Sequence, residues 1–182
     1  MHNILRYSRV CFVAAILSSC AAQAEEHSTM FWETISKLRG EPEDRAQMLE
    51  QVMATWSPEE RREFGLEFYK RHQAAYTWDL WGAGYILDGG MSDDSFMDFR
   101  GWLISQGQEV YEGALRNPDS LAAIAVPYEV TNEDFLYVAT TGVSDADAAQ
   151  LTWPSEPTGT DWEEEDLPAR FPKIWALVEG AD

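Results

Sequence analysis

Apolar residues recur every three or four positions along most of the chain, which is the spacing of amphipathic α-helices. The first predicted helix has Ser28 as its N-cap and ends at Gly40, and the second begins at Pro42. The third follows the sequence SPEE at residues 57–60, which combines a capping box with proline at the first helical position. The predicted inward faces of these helices consist of Phe31, Trp32, Ile35, Leu38, Met48 or Leu49, Val52, Met53, Trp56, Phe64, Phe68, His72 and Ala75.

The pattern changes in the middle of the chain, where residues 75–87 are apolar nearly all round and are predicted to be buried. Later helices are predicted with Phe96, Phe99, Leu103, Ile104, Phe135, Leu136, Val138 and Ala139 facing inward. Their boundaries are marked by Gly89-Gly90, Ser92 or Asp93, Gly107, Asn117-Pro118, and Thr131 or Asn132. Strict apolar–polar alternation is short everywhere, and Tyr128–Val130 is only a weak strand candidate.

These patterns predict an all-α fold, with a single compact multi-helix domain over residues 29–146. Residues 147–182 are rich in acids and are interrupted by Pro154, Pro157 and Gly159, which indicates a loose acidic linker. A short terminal helix follows, and it can dock on the domain through Phe171, Ile174, Trp175, Leu177 and Val178. The alternative function for the acidic segment is an arm that binds an ion or a partner.

The N-terminus has the order of an export signal: two arginines without acids, an apolar run over residues 10–17, then small residues. The apolar run is too short to span a bilayer permanently. The sequence LSSC at residues 17–20 resembles a lipobox, which predicts a signal peptide over residues 1–20, lipidation of Cys20 and a linker over residues 21–28. Two alternatives are cleavage after Ala24, which gives a soluble periplasmic protein, and translation from Met30.

The amino-acid composition excludes some kinds of site and disfavours some classes of partner. The only cysteines are Cys11 and Cys20, so the body of the protein has no disulfide, thiol nucleophile or cysteine metal site. A hydrophobic content of 45% with eight tryptophans indicates a globular domain. The formal net charge of −19 disfavours nucleic acid and anionic lipid as partners. We therefore expect membrane contact only through the lipid anchor, an unidentified protein or small molecule as partner, and no cofactor.

Aromatic and acidic residues are concentrated in the run WDLWGAGYILDGGMSDDSFMDFR, at residues 78–100. Asp94 and Asp98 are one helical turn apart and are weak candidates for sharing a divalent ion or for acid–base work. The structural alternative is helix capping and pairing with Arg100, which is expected to contact Asp93 or Asp98. The candidate binding residues are Trp78, Asp79, Trp81, Tyr85, Asp88, Asp93, Asp94, Asp98 and Arg100.

No catalytic residue is assigned. Only His27 and His72 remain outside the leader, which excludes a zinc site built from several histidines, and no G-x-S-x-G elbow is present. His72 lies on the stripe of Phe64 and Phe68, where a hydrogen-bonded core histidine is expected. The tryptophans Trp78, Trp81 and Trp102 either line a groove for a sugar or peptide side chain, or pack in the core.

Four segments resemble a known bacterial family. FWETISKLRG from Phe31, YTWDLWGAGYILDGG, SDDSFMDFRGWLISQGQEVYEGALRNPDSL and NEDFLYVA from Asn132 follow the order FW-x-x-I, WDLWGAAYLINGG, SDD-x-F-x-DFR-x-WLI-x-x-G and YVA of domain-of-unknown-function family 4240. The resemblance covers roughly residues 31–146 and implies a small, largely helical domain without an assigned activity. Family members are expected to be mostly leaderless, so the export signal is a departure, and the acidic tail lies outside the resemblance.

Three functions remain open. The leading hypothesis is a non-catalytic binding module of the cell envelope that uses Trp78, Asp79, the turn at residues 89–94 and Arg100. The second is a metal-assisted hydrolase that uses Asp93, Asp94 and Asp98. The third is a purely structural lipoprotein.

Overall fold

The computed structural model describes residue 25 and residues 27–181, and the predicted signal peptide, Cys20 and both cleavage alternatives lie outside these residues. In the described part of the chain, helices pack into one domain and no strand forms, which confirms the all-α prediction. The α-helices are α1 (residues 27–35), α2 (Pro42–Met53), α3 (Pro58–Ala74), α4 (Trp78–Leu87), α5 (Asp93–Ser105), α6 (Gln108–Arg116), α7 (Glu133–Thr140), α8 (Asp145–Ala148), α9 (Leu167–Arg170) and α10 (Pro172–Glu179). Two short 3-10 helices cover Pro118–Ala123 and Glu164–Asp166. None of the helices described has the length and apolar character needed to cross a membrane.

The predicted helix starts form as the local sequence requires. The Ser57 hydroxyl accepts from the Glu60 amide at 3.2 Å, while the Glu60 carboxylate accepts from the Ser57 amide at 2.7 Å. Hydrogen bonds from Ser57 to the Glu60 carboxylate, first from its amide and then from its side chain, hold the pKa of Glu60 below its usual value. The Asn132 side chain caps α7, and the Ser92 hydroxyl caps α5 by accepting from the Ser95 amide at 3.2 Å. The capping predictions for these three helices are therefore confirmed.

Two local predictions are wrong. Ser28 is not an N-cap, because it lies inside α1 and its hydroxyl accepts from Arg71 Nη2 at 2.8 Å. Tyr128–Val130 is not a strand, because Tyr128 has a φ of 66° and its amide donates to the Leu87 carbonyl at 2.8 Å. A left-handed residue turns the backbone away from an extended path, so it ends any strand there.

The core forms around α7, which packs against α2, α3 and α5. Its largest side chains are aromatic, and the rings of Phe31 and Phe64 stack with centroids 4.7 Å apart. The predicted inward residues of α1, α3 and α5 are buried, whereas Val52 and Trp56 near the end of α2 are only half-buried. Burying one large apolar side chain stabilises a fold by about 1.5–3 kcal/mol. The apolar stripes therefore determine which faces of the helices pack against one another.

The C-terminal tail is attached to the domain along its length. Leu167, Phe171 and Ile174 lie in the same core as the preceding helices. Asp119 Oδ1 accepts from the backbone amides of Lys173 at 2.9 Å and Ile174 at 3.0 Å. A carboxylate from the 3-10 helix Pro118–Ala123 therefore caps α10. The terminal helix thus docks through Phe171 and Ile174, with Leu177 and Val178 partly buried, whereas the expected contact of Trp175 is wrong because this side chain is exposed.

The acidic segment before α10 also makes backbone contacts with the domain. The Trp78 amide donates to the Thr158 carbonyl at 2.9 Å, and the Thr158 amide donates to the Tyr76 carbonyl at 3.0 Å. These bonds form one isolated parallel bridge between residues 77 and 158. Composition indicated a loose linker, but this part of the segment is held against the N-terminus of α4.

Candidate functional site

A pocket of about 390 Å³ opens between α3, α5, α7 and the tail segment that follows α8. This volume is at the lower end of the roughly 300–1,000 Å³ that small-molecule sites occupy. The lining residues are Tyr69, His72, Gln73, Tyr76, Asp93, Met97, Arg100, Leu136, Tyr137, Thr140, Trp153 and Pro154.

Helical spacing explains why these side chains meet. On α3 and just after it, Tyr69, His72, Gln73 and Tyr76 follow an i, i+3, i+4, i+7 pattern, which places them on one face. On α5 the pocket residues are likewise one and two turns apart, at positions 93, 97 and 100. Each flanking helix therefore contributes a single stripe, and the tail closes one side.

Arg100 is the main charged group at the base of the pocket, and only 6% of it is exposed. Its Nε donates to the Phe96 carbonyl at 3.2 Å and its Nη1 donates to the His72 carbonyl at 3.0 Å. The guanidinium also lies over the rings of Tyr76, at 4.7 Å, and Phe96, at 4.9 Å. These contacts hold the group rigidly without neutralising its charge.

Arg100 forms no ion pair with a carboxylate among the residues described, so the expected pairing with Asp93 or Asp98 is wrong. The side chain turns inward because two backbone carbonyls accept its protons. Burial lowers the pKa of Arg100 to about 10, which still leaves it protonated at neutral pH. A buried cation without a counter-ion is costly, and an anionic ligand would relieve that cost.

His72 is buried beside Arg100 and is neutral at physiological pH. Burial and, to a smaller extent, the charge of Arg100 lower the pKa of His72 to about 3. Its Nε2 lies 2.9 Å from the Met97 carbonyl, which only accepts, so Nε2 carries the proton and Nδ1 is left as an acceptor. A histidine with so low a pKa is a poor general base near neutral pH.

Two buried polar atoms on neighbouring pocket residues have no hydrogen-bond partner in the described part of the protein. They are Nδ1 of His72 and Nε2 of Gln73, an acceptor and a donor respectively. Buried polar groups are almost always paired in native proteins, and a buried group left unpaired costs about 1–3 kcal/mol. Both residues line the pocket, whereas these two atoms are themselves buried beneath its surface.

Aromatic side chains form the mouth of the pocket. Tyr137 is 61% exposed and Trp153 is 49% exposed, while the Trp153 ring contacts the Tyr69 ring edge-to-face at 5.2 Å. Tryptophan and tyrosine rings offer apolar faces with one polar edge, which suits contact with a small organic molecule. The pocket thus combines a polar, cationic base with an aromatic rim.

Most of the binding candidates selected by sequence do not reach this pocket. Of the nine, only Asp93 and Arg100 line it. Asp79 forms an ion pair with Arg170 at 2.5 Å, and the Trp162 indole donates to the Trp78 carbonyl at 2.9 Å. The Tyr85 hydroxyl donates to Glu164 at 3.3 Å, so the tail covers this face of α4.

Trp81, Asp88 and Trp102 make contacts within the fold and do not line the pocket. Trp81 stacks between Trp78 at 5.4 Å and Phe96 at 4.9 Å, and its indole donates to the Met91 carbonyl at 3.1 Å. Asp88 is the C-cap residue of α4, and burial raises its pKa. Trp102 is buried and stacks on Phe99 at 5.6 Å, which places it in the core.

Asp94 and Asp98 lie on α5 outside the pocket lining. Burial, then the negative charges of Glu133 and Asp94, raises the pKa of Asp98 to about 6. Within the described residues, no three or more His, Cys, Asp or Glu side chains are close enough together to hold a metal ion. The pair Asp94 and Asp98 therefore remains a two-carboxylate candidate and gains no further ligand.

The raised pKa of Asp98 predicts a pH-dependent effect of removing its charge. Because its pKa is higher in the folded state than in the unfolded chain, ionised Asp98 destabilises the fold above pH 6. Asp98→Asn should stabilise the protein at pH 7.5 by about 1 kcal/mol after allowance for solvent screening, and this gain should disappear as the pH falls towards 4.

Urea denaturation of Asp98→Asn and the unmodified protein at pH 7.5, 6 and 4 measures the difference. Asp134→Asn, on an exposed residue of α7, is the matched control and should show no such pH-dependent gain. A difference for Asp98→Asn that stays constant across this pH range would refute the expectation.

Sequence reasoning missed Tyr69, Gln73, Tyr137 and Trp153. The stripe on α3 could have indicated the first two, because they share a face with His72. No local pattern indicates Trp153, since it reaches α3 from the tail.

One of the comparisons with known proteins gives a match. A family model described as "Protein of unknown function (DUF4240)" matches residues 27–143. Comparison with curated proteins and with solved structures finds no match. The match covers most of the pocket lining but not Trp153 or Pro154.

Proposed function

The chain belongs to the DUF4240 family, and because that family is described only as one of unknown function, we propose a role from the pocket: a non-catalytic module that binds a small organic anion. The observation that carries this proposal is the buried guanidinium of Arg100, which lines an aromatic pocket and has no carboxylate partner among the described residues. A carboxylate or sulfonate there gains a charge-assisted hydrogen bond, and the rim packs against its apolar part.

Binding fits the lining better than catalysis. The hydroxyl of Thr140 donates to the Leu136 carbonyl at 2.9 Å, so it is engaged by its own helix. His72 is neutral and a weak base because its pKa is about 3. The lining therefore lacks an activated nucleophile beside a base, which covalent catalysis requires.

The two other hypotheses have less support. The hydrolase hypothesis needs Asp93, Asp94 and Asp98 to act together, yet only Asp93 lines the pocket. A purely structural role accounts for the carbonyl and ring contacts of Arg100, but it leaves His72 Nδ1 and Gln73 Nε2 without hydrogen-bond partners among the described residues.

Two fluorescent probes with the same aromatic body test the proposal. 1-Anilinonaphthalene-8-sulfonate carries an anion, whereas N-phenyl-1-naphthylamine is neutral. A hydrogen bond to a charged group contributes about 1.5–3 kcal/mol. We therefore expect the sulfonate to bind at least about tenfold more tightly in a fluorescence titration.

Trp153→Ala localises binding to the pocket. It should weaken binding of the sulfonate probe about fivefold, because it removes one aromatic wall. Trp175→Ala is the matched control, since Trp175 is also partly exposed but lies on α10 away from the pocket. Equal Kd values for the two probes, or equal effects of the two substitutions, would rule out the proposed function.

The proposal also places the domain outside the cytoplasm, attached to a membrane through Cys20. Its support is the leader sequence, in which LSSC at residues 17–20 follows a charged start and an apolar run. Cleavage after Ala24 remains the alternative and gives a soluble periplasmic protein. A lipid anchor would hold this acidic domain near the bilayer while its charge keeps it off anionic lipid.

Radiolabelled palmitate distinguishes these alternatives in a bacterial expression host. The full chain should incorporate label, Cys20→Ala should lose it, and Cys11→Ala should retain it because Cys11 lies within the apolar run. Label that persists in Cys20→Ala would end the lipoprotein proposal.

A further inference from the structure

The charged groups of the pocket define its ligand more closely. Among the lining residues, Arg100 is the one cation and Asp93 the one carboxylate, and His72 is neutral. We infer that the ligand is zwitterionic and amino-acid-like, with its carboxylate at Arg100, its ammonium at Asp93 and an apolar or aromatic side group at the rim. This inference rests on the proposed function and specifies the ligand class of the same pocket.

The spacing of the two charges along α5 fits such a ligand. Asp93 and Arg100 are seven residues apart, so both lie on the same side of the helix. The Arg100 Nε donates to the Phe96 carbonyl, which shows that its side chain runs back by about one turn towards the N-terminus. The guanidinium is therefore only about one helical pitch, roughly 5 Å, from the level of Asp93 along the axis. An axial offset of this size is compatible with one small molecule that contacts both groups.

The charge of the whole protein also favours a zwitterion. The full chain has a formal net charge of −19, so a ligand with a net negative charge approaches against a repulsion that its contact with Arg100 has to offset. A zwitterion has no net charge, so it approaches without this penalty and still places a carboxylate at Arg100. A phosphate ester would carry more negative charge than the single guanidinium of the pocket neutralises.

Two further polar atoms, the donor Gln73 Nε2 and the acceptor His72 Nδ1, belong to lining residues but are buried, so the charged contacts of the ligand are those with Arg100 and Asp93. The aromatic rings of Tyr69, Tyr137 and Trp153 then surround the side group. An aromatic amino acid satisfies each of these contacts.

Three probes with one phenyl body test the inference by isothermal titration calorimetry on the purified protein. L-Phenylalanine has both charges, 3-phenylpropanoate has only the carboxylate, and 2-phenylethylamine has only the ammonium. We expect phenylalanine to bind at least about tenfold more tightly than either of the others, because each lacks one charge-assisted contact.

Asp93→Asn assigns the ammonium contact. Asp93 is exposed at the start of α5, so the substitution should leave the fold intact. It should weaken phenylalanine binding about tenfold and leave 3-phenylpropanoate binding unchanged. Asp94→Asn is the matched control, since Asp94 is its exposed neighbour and does not line the pocket.

The outcomes separate the inference from the function on which it rests. If 3-phenylpropanoate binds as tightly as phenylalanine, or Asp93→Asn leaves phenylalanine binding unchanged, the zwitterion inference is wrong while anion binding stands. If no phenyl probe binds but the naphthalene sulfonate still binds in a Trp153-dependent way, the inference is also wrong and the proposed function survives. Loss of Trp153-dependent sulfonate binding removes both.

Discussion

Phe96→Ala is expected to lower the free energy of unfolding by about 4 kcal/mol, the largest loss among the substitutions considered for this protein. Phe96 is fully buried, and its ring stacks on Trp81 at 4.9 Å and on Phe99 at 6.0 Å. Truncation removes the transfer free energy of the ring and leaves a cavity between α4 and α5 that the surrounding helices fill only in part. It also removes one of the two rings on which Arg100 lies.

Urea denaturation followed by circular dichroism measures this effect. Phe96→Leu is the matched control, because it keeps a large apolar side chain and should lose much less stability than alanine. A midpoint shift for Phe96→Ala no larger than that for Phe96→Leu would show that the ring stack contributes little. The slope of the unfolding free energy against urea concentration should be the same for the unmodified protein and both variants if all three unfold in a two-state transition.

Asp119→Ala is expected to lower the free energy of unfolding by about 2 kcal/mol and to release α10. The Asp119 carboxylate is buried and accepts two backbone hydrogen bonds from the start of α10, at 2.9 and 3.0 Å. Alanine leaves both amides without an acceptor, and an unpaired buried donor costs about 1–3 kcal/mol. It also removes a negative charge from the N-terminal end of the helix dipole.

Hydrogen exchange detects the release directly. The amides of Lys173 and Ile174 should exchange faster in Asp119→Ala, with smaller changes in α2 and α3, because the two lost hydrogen bonds belong to the start of α10. Asp119→Asn is the matched control because its side-chain oxygen can still accept both bonds. Equal exchange rates in the alanine and asparagine variants would mean that these hydrogen bonds do not hold the helix.

Local sequence signals predicted the helices well, because they depend on neighbours a few residues apart. The capping box at Ser57 and the cap at Asn132 formed as expected. The N-cap prediction for Ser28 was wrong because a distant arginine, Arg71, donates to its hydroxyl inside a longer helix. The strand prediction at Tyr128 was wrong because its amide donates to the carbonyl of Leu87, which lies forty-one positions earlier.

The site was predicted only in part, for a similar reason. The concentration of aromatic and acidic residues in the sequence indicated Trp78, Asp79 and Tyr85 as site residues. The tail covers them through long-range contacts that no local pattern predicts. Arg100, a site candidate from the sequence, does line the pocket, although its expected carboxylate partner was wrong. The pocket needs α3, α5, α7 and the tail together, so its existence follows from tertiary packing rather than from any single stripe.

The docked tail means that the unit which folds is longer than the region shared with the family. The family match ends at residue 143, yet Leu167, Phe171 and Ile174 belong to the core, and Trp153 forms a wall of the pocket. Arg100 lies inside the shared region and Trp153 outside it. Under the proposed function, a change confined to the C-terminal segment would therefore alter one wall of the pocket and leave Arg100 in place.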